Sequence, residues 1–237
     1  MADYLKTRGW GCETPATFRI DIEEAFLKIW EAVSPYTMIS LERGYALYTG
    51  IRHLLARNIE GDFVECGVWK GGSCMLMALT ILSEKAKPRP IWLYDTFTGM
   101  TEPGKEDRII SSGQSVSERW HQGWWAAGSD QVMKHLSSTG YPQELFKIVP
   151  GDVCETLDSV IPDTTALLRL DTDWYASTKK ELEILYPRLC TGGLLIIDDY
   201  GHFSGARQAV DEYFSNSPVP PFFQRSDYTG RCALKEE

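Results

Sequence analysis

GDFVECGVWKGGS, residues 61–73, decides the fold. It opens as an apolar strand carrying Glu65, turns through Gly67, Gly71 and Gly72, and enters an apolar helix, MLMALTIL. A glycine turn between strand and helix lets a ligand approach the backbone and leaves helix N-terminal amides unpaired at its edge. The spacing G-x-x-x-G-G matches neither the dinucleotide fingerprint G-x-G-x-x-G nor the P-loop, which needs a Gly-Lys-Ser/Thr ending. The stretch therefore reads either as a shelf for some other cofactor or as a turn whose glycines serve packing alone.

Beyond the shelf, apolar runs alternate with helical patterns. The runs are 90–95 (PIWLYD), 146–149 (FKIV), 165–171 (TALLRLD) and 193–199 (GLLIIDD); the helical patterns lie near 130–137, 152–160, 177–189 and 205–214. Continuous apolar strands alternating with helices imply a parallel sheet covered on both faces, a doubly wound α/β domain. Before the shelf, two amphipathic helices are expected. One covers 21–33, with Ile22, Phe26, Ile29, Trp30 and Val33 on one face; the other covers 41–57, with Tyr45, Tyr48, Ile51 and Leu55. The organisation expected is a helical extension or cap over 1–60, then an α/β domain over 61–237 holding a long polar, Gly-rich loop at 98–130, read as a lid.

Composition narrows the function. The 237 residues, 43% hydrophobic, suffice for one sizeable core, and a net charge of −9 without basic clusters argues against a nucleic-acid partner. Six cysteines without a C-x-x-C pair suggest free thiols, hence a reducing, cytoplasmic setting, and no zinc framework. No apolar run approaches the roughly 18 residues that span a bilayer. No membrane partner is expected.

In a doubly wound sheet, ligands bind outside the carboxyl ends of the strands. Acids gather there: Asp95, Asp152, Asp171, and the pair Asp198 and Asp199, with Glu65 in the first strand. Like charges at one rim are destabilising unless ligands or ions offset them. Asp95 ends the strand after the shelf helix, where a carboxylate accepts hydrogen bonds from both hydroxyls of a ribose, or else caps the turn that follows. Asp152 is either a helix N-cap or a partner for an adenine amino group. Asp171, Asp198 and Asp199 end neighbouring strands about 5 Å apart and suit a hard divalent ion such as Mg²⁺, or form a hydrogen-bonded acid cluster. Asp173 reads as a weaker ligand or, instead, as the cap of a helix over 174–179.

Four blocks, GDFVECGVWKGGS, YDTFTGM, LLRLDTDWYASTKKELEILYPRLCTGG and LLIIDDYGHFSGARQAVDEYF, resemble the TylF family of macrocin-type O-methyltransferases. The resemblance spans about 36–214. It implies a class I, Rossmann-like methyltransferase fold, S-adenosylmethionine as methyl donor, Mg²⁺ as cofactor, and a deoxysugar hydroxyl on an antibiotic or other natural product as acceptor. By position, Glu65, Gly67, Gly71, Ser73, Asp95, Phe97 and Asp152 resemble the family's cofactor contacts, with Thr37 and Met38 as neighbours. Asp171, Asp198 and Asp199 resemble its metal ligands. A closing antiparallel hairpin of FFQR (222–225) and RCAL (231–234) and a homo-oligomer, dimer or larger, are also implied.

A metal-bound hydroxyl is more acidic than a free one, so a base beside it completes the chemistry. The candidates are Asp171 and His202, whose ordinary pKa of about 6.5 suits the work. Trp120, Trp124 and Trp125 of the lid either stack on the acceptor or pack the lid down; Trp174 and Tyr175 are further candidates for the acceptor wall, with core packing as their alternative. A catechol-like phenolic acceptor fits the same ion chemistry, and a non-catalytic cofactor-binding protein fits the same scaffold. A nicotinamide oxidoreductase lacks the turn spacing and a hydride-chemistry pair, and a nucleophile-elbow hydrolase lacks G-x-S-x-G.

Overall fold

The computed structural model of the chain describes residues 21–215, 217 and 219–236. A seven-stranded sheet runs β3-β2-β1-β4-β5-β7-β6. Its strands are β1 (Asp62–Cys66), β2 (Ile91–Asp95), β3 (Phe146–Pro150), β4 (Thr165–Leu170), β5 (Leu189–Ile197), β6 (Gln224–Arg225) and β7 (Arg231–Leu234). The first five are mutually parallel; β7 joins β5 antiparallel and β6 closes the edge. The order reverses between β1 and its two neighbours β2 and β4, the switch point where open α/β sheets hold ligands.

Alternate residues of the central strands feed two cores. Phe63, Leu167 and Leu194 point to one, with Phe26 and Val33 of α1 (Glu24–Val33), Leu47 and Ile51 of α2 (Leu41–Ala56), and Leu76 and Ile81 of α3 (Gly72–Ser83). Val64, Leu168 and Leu195 point to the other, with Leu182 and Leu185 of α6 (Tyr175–Leu185) and Val210 of α7 (Ser204–Ser215). The strands read as unbroken apolar runs because both faces are covered. The two N-terminal helices share the first core with the sheet.

The remaining helices are α4 (Ser129–Ser137), α5 (Val153–Thr156), α6 (Tyr175–Leu185) and α7 (Ser204–Ser215). Two differ from expectation. The helix expected over 152–160 closes after four residues and gives way to turns before Pro162. The one expected to reach 189 stops at Leu185, because Pro187 brings no amide to continue it, and Leu189 already begins β5. Residues 98–130 hold turns and one short 3₁₀ segment, and the loop is tied down. Ile109 bridges Phe203, Ile110 N donates to His202 O at 2.9 Å, and buried Asp107 accepts from Gly104 N at 2.7 Å and Tyr175 N at 2.9 Å. Among the described residues no helix is long and apolar enough to cross a membrane.

Gly67 sits at the crossing of β1 and β4 with φ of 83°, and a Cβ there would run into the Asp171 carbonyl. Gly67→Ala is expected to cost about 2–4 kcal/mol, from left-handed backbone strain plus overpacking, read as a lowered urea midpoint with an unchanged slope.

Candidate active site

The glycine turn brings backbone to backbone. Gly71, with φ of 89°, stands before α3, and a Cβ on Gly72 would lie 2.6 Å from the Tyr36 carbonyl, so Thr37 and Met38 lie against the start of α3. Asp95 ties the turn to β2. Its Oδ2 accepts from Val68 N at 2.7 Å and Trp69 N at 3.0 Å, and its Oδ1 from Phe97 N at 2.7 Å. Asp152 caps α5 through Cys154 N at 2.8 Å and also lines a cavity of about 50 Å³ with Asp95.

Under this rim lies a buried guanidinium. Arg169 of β4 is 1% exposed and stands in register with Glu65 of β1. It donates to Glu65 Oε1 at 2.6 Å, Asp171 Oδ2 at 2.7 Å and Asp198 Oδ1 at 2.5 Å. Burial alone would lower its pKa; Asp171, Asp198 and Glu65 override this and hold it well above its ordinary value. Glu65 also accepts from Cys74 Sγ of α3 at 2.7 Å. The other oxygen of Asp198 takes Arg43 of α2, whose Nε lies 3.1 Å from Asp227 Oδ2 in the β6–β7 turn.

Outside this network three carboxylates converge. Asp171, Asp173 and Asp199 each offer an oxygen, and these lie within 4.8 Å of one another. Burial first raises all three, Asp171 and Asp173 well above the carboxylate range, and neighbouring carboxylates add to it: Asp198 and Asp199 at Asp171, Asp199 and Asp171 at Asp173, and Asp198 at Asp199. Asp173 has φ of 68° and a buried Oδ1 without a hydrogen-bond partner. It does not cap α6, as expected; it completes the triad, while Asp198, expected there, faces the two arginines. An orphaned oxygen inside a group of repelling carboxylates is the donor chemistry a hard divalent cation takes. Beneath Thr172, buried Glu181 of α6 accepts from Thr172 Oγ1 at 2.8 Å while its Oε2 has no partner; burial pushes its carboxyl up to about 8.

A cavity of about 210 Å³ opens over the acids and shares Gly67, Asp95, Met100 and Asp171 with the 50 Å³ cavity. Thr37, Met38, Glu65, Gly67, Ser73, Asp95, His202 and the four aspartates 171, 173, 198 and 199 line the larger one. Gly71 and Phe97 line neither. Gly71 faces Val132, and the Phe97 side chain is buried in the first core, so their parts are backbone ones. His202 stands at the rim, its Nδ1 3.4 Å from the Tyr228 hydroxyl. The lid tryptophans divide: Trp120 donates to Met100 O at 3.0 Å and Trp124 packs on the Val116, Trp174 and Phe203 cluster, whereas Trp125 stacks on Trp124 and lines the cavity. Trp174 is 2% exposed and donates to Thr101 O at 2.9 Å, and Tyr175 turns to Glu212; neither lines either of these two cavities, whereas Trp125 and Tyr228 line the larger one.

A doubly wound sheet with an antiparallel last strand, a glycine turn at its switch point and acids along that edge is the class I methyltransferase architecture. The family model for macrocin O-methyltransferase (TylF) matches residues 28–232, and the chain belongs to that family of O-methyltransferases. It is 33% identical over 201 residues to 8-demethyl-8-(2,3-dimethoxy-alpha-L-rhamnosyl)-tetracenomycin-C 4'-O-methyltransferase of Streptomyces olivaceus, covering 85% of this chain and 76% of that one. It is 32% identical to demethyldecarbamoylnovobiocin O-methyltransferase of Streptomyces niveus, over 78% of this chain and 69% of that one. Among solved structures, the O-methyltransferase NovP superposes with a TM-score of 0.77 at 29% identity, over 85% of this chain and 83% of that one.

Two variants check the electrostatics. Arg169→Leu strands three carboxylates and is expected to cost about 3–5 kcal/mol in urea unfolding. For Glu181 the folded pKa lies above the unfolded one. Its contribution is therefore complete below about 4.5 and lost as pH rises through about 8. The fall in unfolding free energy from pH 6 to pH 8 should be shallower in Glu181→Gln than in the parent.

Proposed function

We propose that the chain transfers a methyl group from S-adenosylmethionine to a sugar hydroxyl of a glycosylated natural product, with Mg²⁺ as the second cofactor. The observation that carries this reading is the pair of cavities meeting at Gly67, Asp95 and Asp171: the larger takes in both the glycine turn, at Gly67, Val68, Trp69 and Ser73, and the acids, and the smaller runs from Asp95 and Thr96 to Gly151 and Asp152. Its relatives' names supply the acceptor class: the two quoted above act on a rhamnosyl tetracenomycin and on a novobiocin precursor.

Glu65, Gly67, Gly71, Ser73, Asp95, Phe97 and Asp152, with Thr37 and Met38, would hold S-adenosylmethionine, whose sulfonium supplies the methyl group. Asp95 and Asp152 lie on the smaller cavity, where carboxylates recognise hydroxyl and amino groups; Asp95 keeps acceptor capacity beyond its three backbone bonds. Asp171, Asp173 and Asp199 would hold Mg²⁺, with Asp198 beside them as a further ligand, and the ion would make a ligated hydroxyl more acidic.

The rest falls to the chain's own groups. Asp171 lies in the wall common to both cavities and is the proton acceptor of this reading; His202, at the rim beside Tyr228, is the other group able to take the proton. Displacement at a sulfonium quenches charge, so alignment carries much of the catalysis, and the tied-down lid supplies it by closing one side of the cavity with Trp125 and Met100. The protein acts in the cytoplasm as a homo-oligomer in this proposal.

Calorimetric titration with S-adenosylhomocysteine tests the cofactor half. Micromolar binding is expected, weakened about 10- to 100-fold in Asp95→Asn. Methyl transfer to a rhamnosylated aromatic polyketide should vanish with EDTA and in Asp171→Asn. Absence of S-adenosylhomocysteine binding by the folded parent sinks the reading.

A further inference from the structure

Two arginines neutralise Asp198, and they are not equivalent. Arg169 is 1% exposed and held by three carboxylates on three strands or strand ends, so it has nowhere to go. Arg43 reaches in from the first turn of α2 and its side chain is 13% exposed. It already touches a second acid, Asp227, and its Nη2 donates to Met38 O at 3.4 Å. Asp227 is itself anchored: Oδ1 accepts from Thr229 N and Gly230 N at 2.8 Å each, and Oδ2 from Ser40 Oγ, the α2 cap, at 2.7 Å. A fixed and a movable counter-charge thus share one carboxylate.

We infer that Arg43 is a displaceable counter-ion: it neutralises Asp198 in the ion-free protein and passes wholly to Asp227 when a divalent cation takes the acids. The inference rests on the ion half of the proposed function. Its physical basis is competition. Asp171, Asp173, Asp198 and Asp199 crowd one rim, and Arg43 is near enough to all but Asp173 for Asp198, Asp171 and Asp199 to raise its pKa against the burial that lowers it. A tethered cation there keeps the edge of the sheet together when no ion is bound, and it must yield before Asp198 can serve as a ligand. Because Arg43 also holds Met38 and the turn bearing Tyr228, its move is felt at two walls of the larger cavity. Arg43 acts through Asp198 and is a positioning residue.

Mn²⁺ titration of the cofactor-free protein, followed by electron paramagnetic resonance, separates this from a purely structural arginine. Arg43→Met should bind Mn²⁺ more tightly, on the order of tenfold, since the competitor is gone. Asp227→Asn should bind it more weakly, because Arg43 loses its refuge, while the Asn Oδ1 still accepts from Thr229 and Gly230. A structural role predicts equal or weaker binding in Arg43→Met, and that result, or unchanged binding in Asp227→Asn, overturns the inference while leaving the ion reading intact. If Arg43→Met does not fold, Asp227→Asn decides alone. No Mn²⁺ binding by a parent that still binds S-adenosylhomocysteine removes the ion reading and this inference together, but not the cofactor half.

Discussion

One guanidinium placed inside the sheet holds the functional edge together. Arg169 sits where an apolar residue would ordinarily be, on the face of β4 that Leu167 shares, and it joins β1, β4 and the end of β5 through Glu65, Asp171 and Asp198. A buried charge of this kind costs several kcal/mol in desolvation and is repaid only by well-aligned partners. Here the partners are the acids a ligand site needs. Without Arg169, Glu65 and Asp198 would be carboxylates nearly sealed from water, and the strands carrying them would have no reason to bring them together.

That arrangement divides the acids by depth. Glu65 and Asp198, both buried, serve the guanidinium, and Asp171 has one oxygen on it and the other side toward the cavity. Asp173 and Asp199 lie outside its reach, and burial among neighbouring carboxylates leaves both with raised pKa values and Asp173 with an orphaned oxygen. The protein thus keeps a stabilised inner layer and an unrelieved outer one. Unrelieved charge in a cavity wall is a ligand site held open, because a cation entering there gains what the fold leaves uncompensated.

Much of this was legible in the chain. The glycine turn, the apolar runs and the strand-end acids gave the sheet, its switch point and the edge where cavities form, because parallel strands and glycine turns are local patterns. The hairpin at the C-terminus came instead from the family resemblance, and β6 and β7 do pair antiparallel. Arg169 was not: inside LLRLD it looks like a polar interruption in an apolar strand, and only the register with Glu65 gives it partners. Arg43 and Asp227 were missed because their meeting with Asp198 depends on how α2 and the last turn fold over the sheet. Asp173 was misplaced on a cap because D-T-D reads as a helix start, whereas its left-handed backbone turns it back to Asp171 and Asp199. Nothing in the sequence singles out Glu181, because its burial depends on how α6 packs against the sheet.

The rim differs from the floor in kind. Met38, Trp125 and Tyr228 are 51%, 37% and 61% exposed, unusual for large apolar side chains, and all three line the larger cavity. They come from the segment before α2, the lid and the β6–β7 turn, none of which is part of a central strand. Chemistry set by the sheet can therefore stay constant while these loops change, since loops tolerate substitution that a buried ion network does not. On the proposed reading the acids select for an oxygen to be methylated and the apolar rim selects what carries it. A flat, weakly polar surface beside the sugar meets that rim better than a hydrated one, since it covers exposed aromatic area without leaving hydrogen bonds unmade.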